Sequence, residues 1–337
     1  MHVSLAALAR GARTEAKAFT ENIRPLLAAA VRCIDEVSTY NSSLALARTF
    51  LALSTLLTVL MTPAGVLFLK GPADPVGVVC EAFTSRWSLF CMAGGATPTS
   101  IIIVLAVTLA VISGYLPAVT AIPHWWVAWS LNIGSPIRDG GDQVAAVLTL
   151  LLVPLLLLDR RRNHWSVDRR WSSRSWVVRG AAWAVLVVVW VQTSVLYANA
   201  AIAKFAVAEW ANGTALWYWI QEPSFRPPAA FLWLAEGVQG SLAGALIVNY
   251  GVLAVELLAA GLVLVRPANR RIALPLMLAF HLSIAVMFGL WSFFLSMAAL
   301  LVLYLRVPRN DRTDRCVSSP GNGSTSGCGS SSAAALC

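Results

Sequence analysis

The feature that most constrains this chain is a series of apolar runs separated by short arginine-rich stretches. The runs lie at about Leu44–Met61, Ser100–Leu116, Gln143–Leu158, Gly180–Ala200, Ile247–Val265, Ile272–Gly289 and Phe293–Leu305. Most approach the roughly 20 residues that a helix needs to cross a bilayer. Only helices and closed barrels satisfy their backbone polar groups in lipid, and runs of this length favour helices. Across 337 residues, 58% are hydrophobic and 12% charged, with a mean hydropathy of +0.70. A water-facing globule of that size could not hide so much apolar surface. The expected fold class is therefore all-α integral membrane, a polytopic helical bundle.

The net charge of +9 does not point to nucleic acid, because the arginines sit between apolar blocks rather than on one soluble face. They report topology instead. Seven arginines lie between Arg160 and Arg179, three are Arg266, Arg270 and Arg271, and four run from Arg306 to Arg315. These stretches are expected in the cytoplasm. The 63–98 loop, with only Lys70 and Arg86, and the stretch after Lys204, with only Arg226, are expected outside. Alternation then requires Ile122–Arg138 to cross or deeply enter the membrane, giving about seven clear spans plus one irregular or re-entrant segment. Irregular backbone at that depth is tolerated only when buried or lining a cavity, so the segment is also a pocket candidate.

Residues 1–43 read as a cytoplasmic N-terminal amphipathic segment, since Glu15, Lys17 and Glu21 interrupt any signal-like apolar core. Residues 44–305 form the transmembrane domain, and the Ser/Gly-rich tail at 306–337 is expected to be disordered and cytoplasmic. The expected localisation is a cell membrane, multi-pass, with both termini cytoplasmic. Cys80 and Cys91 share the outer loop, where an oxidising compartment permits a disulfide; two free thiols are the alternative. No Cys/His cluster has metal-ligand spacing, so no metal is expected.

Several short motifs occur in one order: Ala47-Arg48-Thr49, Ser88-Leu89-Phe90-Cys91, His124-Trp125-Trp126, Asp139-Gly140-Gly141-Asp142-Gln143, and Asn163-His164-Trp165. A further segment runs from Tyr197 through Lys204 to Glu209-Trp210 and Gly213-Thr214. Together they resemble the HTTM (horizontally transferred transmembrane) domain, the membrane part of vitamin K-dependent γ-carboxylases. The sequence is more similar to the sporulation-delaying protein B family, which has this domain alone. The resemblance implies an HTTM-type bundle and a part in making an exported antimicrobial peptide toxin. The implied partners, besides lipid, are a secreted peptide precursor and a small accessory protein. In the carboxylases, a Lys on a matching motif is the base that deprotonates reduced vitamin K, and a His on another is also needed. By that resemblance Lys204 and His164 are candidate catalytic residues and a reduced isoprenoid quinone a candidate cofactor. The carboxylases carry a large extramembrane domain that residues 306–337 cannot supply, which argues against peptide carboxylation. A quinone-dependent carboxylase or oxidoreductase and a non-enzymatic transporter or immunity scaffold remain alternatives, and whether the chain is an enzyme stays open.

Each candidate has a plainer reading. Lys204, at a span's outer end near Glu209, is either a desolvated amine able to act as base or a lysine snorkelling to the interface. His164 sits among arginines in a loop where headgroup binding is the alternative; one span separates it from Lys204. Glu256 lies ten residues before Arg266 and His281 ten after Arg271, so both sit about 15 Å deep and are expected to pair. Asp139 and Asp142 suggest either a cation site or, more simply, an N-cap by Asp142. Trp210, with the aromatics that follow it, forms a lid or an interfacial belt.

Overall fold

The computed structural model describes residues 21–305 except 22–23, 26, 69–76, 79, 81–82, 137–138, 167, 169, 224 and 266. The expectations for residues 1–20 and for the tail fall outside these. Among the described residues there are eight long helices and no strand beyond an isolated bridge between Tyr115 and Asn163. They are α1 (Ser42–Met61), α2 (Pro98–Ser113), α3 (Pro117–Gly134), α4 (Gly140–Leu157), α5 (Trp176–Phe205), α6 (Leu242–Gly261), α7 (Pro267–Phe288) and α8 (Trp291–Leu305). Five stretches, namely α1, α4, α5, α6 with its following turn, and α7 from Asn269, are long and apolar enough to cross a membrane; α2 and α8 are shorter apolar helices.

Local chemistry sets the boundaries. Asn41 caps α1 by accepting from the N–H groups of Ser43 and Leu44, and Ser175 caps α5 through Val178. Gly114 stops α2 in the left-handed region at φ +81°, and Pro117 opens α3 at a position where a proline loses no helical hydrogen bond.

The segment expected to be irregular is a continuous 18-residue helix, α3, despite Pro123 within it. Proline sits in its second turn, where it removes one helical hydrogen bond, and burial of the flanking apolar residues Ala121, Val127 and Ala128 holds the helix. Its start hydrogen-bonds the arginine-rich loop, Leu116 N–H donating to Arg162 O. Its other end reaches the disulfide loop, where Ser135 Oγ donates to Leu67 O. The segment that alternation calls on to cross is thus a regular helix.

One end of the bundle gathers the arginine-rich connections. Tyr40 Oη donates to Leu155 O, Arg179 pairs with Asp35, and Arg270 donates to Val263 O and Val265 O beside Tyr304. The other end holds the Cys80–Cys91 disulfide, the start of α4 and the start of α8. α8 packs against α1, α4, α5 and α7, and Ser54 Oγ of α1 donates to Ser292 O and meets Ser296 Oγ at 2.7 Å. Such small polar contacts let helix backbones approach closely where lipid offers no hydrophobic drive.

Candidate functional site

α5 runs 30 residues, beyond the span expected to end near Ala200, and the extra turn carries Lys204. Tyr197, Ala201 and Lys204 fall on one face at helical spacing, turned toward α6. Lys204 Nζ donates to both oxygens of Glu256, at 2.7 and 2.8 Å, and to Ala200 O at 3.3 Å. It also stands 5.4 Å from the centre of the Trp210 ring. Both side chains of the pair are mostly shielded, with 21% and 12% exposed.

The expected Glu256–His281 contact is not made. His281 Nε2 instead meets Tyr197 Oη at 2.8 Å, its Nδ1 has no partner, and Phe280 and Phe293 flank its ring. An ammonium is a better partner for a shielded carboxylate than a neutral imidazole, and the longer α5 delivers one. Tyr197 is within the electrostatic reach of Glu256 as well as bonded to His281, so the four groups form one polar patch in an apolar bundle.

After α5 the chain folds back through the short helices Ala208–Ala211, Ala215–Gln221 and Ala229–Gln239. Asn249 of α6 anchors this return by accepting from Leu216 N–H, and Tyr250 Oη donates to Ala211 O. Gly213 permits the turn at φ +73°, since a Cβ there would meet Leu246 at 2.7 Å. The result is a cleft of about 250 Å³ lined by Val207, Glu209, Trp210, Ala215, Tyr218 and Trp219. Trp210, which lines it, is the ring that Lys204 Nζ approaches. Trp219 packs against Trp210, Phe225 and Phe288.

His164 belongs to a different cluster. Its N–H donates to Gly114 O, and its Nδ1 accepts from Nη1 of Arg48 at 2.9 Å. Arg48 Nη2 donates to Thr120 Oγ1 at 2.8 Å. Arg48 and His164 are both 0% exposed, and Arg48 Nε and His164 Nε2 have no partner. Burial, then the nearby Arg48 and Arg161 charges, push His164 down to about 3, so it is neutral at ordinary pH. His124, also buried, is close enough to feel the Arg48 charge. Arg48 is the functional candidate that motif reading missed. A charged residue inside an apolar run was the available signal.

α5 begins after His164, and its 28 steps from Trp176 to Lys204 cover about 42 Å. Lys204 and His164 are therefore far apart, each with its own partners. A reduced-quinone site built on both residues does not fit this arrangement, because Lys204 is occupied by Glu256 and His164 by Arg48.

The remaining candidates are dispersed. Asp139, not Asp142, holds the N-cap position of α4; its carboxylate faces the free N–H groups of the first turn without forming a cap hydrogen bond. Burial raises its pKa against the lowering effect of those N–H groups. Asp142 lies one turn in and accepts from Thr58 Oγ1 of α1 at 3.0 Å. Trp126 Nε1 donates to Trp87 O, while Trp125 packs on Trp129 and its Nε1 is unpartnered. His124, Trp125, Trp126, Asp139, Asp142 and Trp210, each a possible pocket residue from the sequence, are thus not brought together in one pocket. The physical reason is depth: His124 lies toward the arginine-rich end, while Asp139 and Asp142 open α4 at the other. No group of three metal-ligating side chains occurs among the described residues.

Comparison with known proteins adds the family. Residues 145–308 match the HTTM domain model. The chain is 32% identical over 276 residues to the sporulation-delaying protein SdpB of Bacillus subtilis (strain 168), covering 81% of this chain and 83% of that protein. It is equally 32% identical over 276 residues to the uncharacterized protein YitO of the same strain, covering 80% and 87%. No solved structure matches.

Proposed function

Because this chain belongs to the sporulation-delaying protein B family of HTTM-domain membrane proteins, we propose that it acts at the cell membrane in producing an exported sporulation-delaying-type peptide toxin. In this reading it works on a secreted precursor together with a small accessory protein. The observation that carries a chemical role is the Lys204–Glu256 pair, shielded within the bundle, with Lys204 beside the Trp210 ring that lines an aromatic cleft. Ionisable groups at such depth are costly and are commonly retained for function. An amine and a carboxylate at 2.7 Å can exchange a proton between them. A substrate group that displaces the carboxylate meets a primary amine, with Glu256 beside it to take or return that proton. Tyr197 and His281 extend the same polar patch inward.

The placement of Lys204 away from His164 disfavours the quinone-dependent reading, and no step is routed through a cofactor. The test is mass spectrometry of the secreted peptide from cells with and without the protein. A covalent mass difference that vanishes in Lys204→Met names the reaction. An identical peptide in equal amount from both strains overturns the proposal.

A further inference from the structure

We infer that the cleft formed by Glu209, Trp210, Tyr218 and Trp219 is a binding site for a basic side chain, a lysine or arginine of a peptide. This names the substrate class of the site proposed above and rests on that reading for its biological meaning, though the binding itself stands on the cleft.

Three observations support it. Three aromatic side chains and one carboxylate line a space of about 250 Å³. The faces of indole and phenol rings carry negative electrostatic potential and attract ammonium and guanidinium groups, most strongly where a carboxylate adds a full charge. Trp210 already behaves this way toward Lys204 on its inner side. Secondly, Glu209 is exposed and takes part in no ion pair among the described residues. Its charge is therefore free for a ligand. Thirdly, residues 205–246 carry Glu209, Glu222 and Glu236 against Arg226 alone, a local excess of two negative charges in a chain of net +9.

Lys204 does not cancel this field. Glu256 holds it in a two-oxygen contact, so the pair is neutral as seen from the cleft, and Glu209 dominates there. Ala215 and Val207 provide walls against which the methylene stem of a long basic side chain can lie. An acidic or purely apolar residue would leave Glu209 repelled or unpaired. A lysine seated in this way would place its backbone at the cleft mouth.

The experiment uses the full chain in a nonionic detergent and measures binding of capped tripeptides, Gly-Lys-Gly, Gly-Arg-Gly and the uncharged isostere Gly-norleucine-Gly, by saturation-transfer NMR. The expected result is binding of the two basic peptides about tenfold tighter than the norleucine peptide. Glu209→Gln, at an exposed position that should not disturb folding, should remove most of that preference, and Tyr218→Leu should weaken it. Glu236→Gln, exposed and outside the cleft, should retain it. Equal binding of the norleucine and lysine peptides, or an unchanged preference in Glu209→Gln, overturns the inference. Phosphoethanolamine binding in place of the basic peptides also overturns it, in favour of a lipid headgroup site. Because the assay needs no toxin maturation, it can fail while the proposed function stands, and the reverse.

Discussion

Arg48 donates to Nδ1 of His164 across 2.9 Å, joining the second turn of α1 to a loop residue 116 positions later. A guanidinium can only donate, so Nδ1 must accept and the neutral ring carries its proton on Nε2. Protonating His164 would set two positive charges against each other in a buried site. With a folded pKa of about 3, well below the ordinary histidine value near 6.5, the ring binds fewer protons folded than unfolded between those limits. Its stabilising contribution is complete above about pH 6.5 and declines as the pH falls toward 3.

The expected outcome is a melting temperature in detergent that drops between pH 7.5 and pH 5 more steeply in the native protein than in His164→Gln. Comparing the two slopes isolates this group from Asp139, whose raised pKa acts with the opposite sign. Parallel slopes would remove His164 as the cause.

Lys204→Met should leave the protein in the membrane and reduce toxin maturation by about 10²–10⁴-fold, the range typical of a lost acid–base group. Lys204→Arg should fail as well, since a guanidinium cannot give up its proton at physiological pH. A merely anchoring lysine would tolerate arginine. Full maturation by Lys204→Arg at equal membrane abundance would rule out proton transfer by this amine.

Glu256→Leu leaves Lys204 without its counter-charge and is expected to cost about 3 kcal/mol of stability. The double variant Lys204→Met/Glu256→Leu removes both charges and should be more stable than Glu256→Leu alone. Thermal denaturation of the two variants in the same detergent measures the difference. An additive loss in the double variant would mean that the contact carries no coupling energy.

Gly114→Ala should destabilise the arginine-rich end by about 1–3 kcal/mol. The backbone there is left-handed at φ +81°, and a Cβ would stand 2.8 Å from both Asn163 Oδ1 and His164 Cδ2. Gly65→Ala, where a Cβ meets nothing within 4 Å, is the control. Equal melting temperatures for the two variants would contradict the account.

Reporter fusions should place Arg170 in the cytoplasm and Ala96 and Gly240 outside, with the Cys80–Cys91 thiols resistant to an impermeant alkylating reagent until reduced. An outward Arg170 would reverse this orientation.

The apolar runs and the arginine counts were legible because lipid imposes length and charge rules that act residue by residue. The need for a crossing near Ile122–Arg138 followed from those counts, but the tryptophans and Pro123 disguised a regular helix. Glu256 and His281 were placed at a shared depth from their distances to the arginines. Their partners were not legible, because these depended on α5 continuing past Ala200 and turning Lys204 inward. Asp139 and Asp142 were exchanged by one turn, a shift that sequence spacing does not resolve. Arg48 was read as part of a motif, although its charge within an apolar run already marked it as a residue requiring a buried partner.

The position of α8 bears on how the protein is made. Among the described residues it is the last long helix in the chain, yet every residue from Ser296 to Leu305 is buried, against helices synthesised as early as α1. The packing of α1, α4, α5 and α7 around α8 is therefore completed only after translation passes residue 305. The most enclosed helix arrives last, and its insertion between α1, α4, α5 and α7 is the event that closes the bundle.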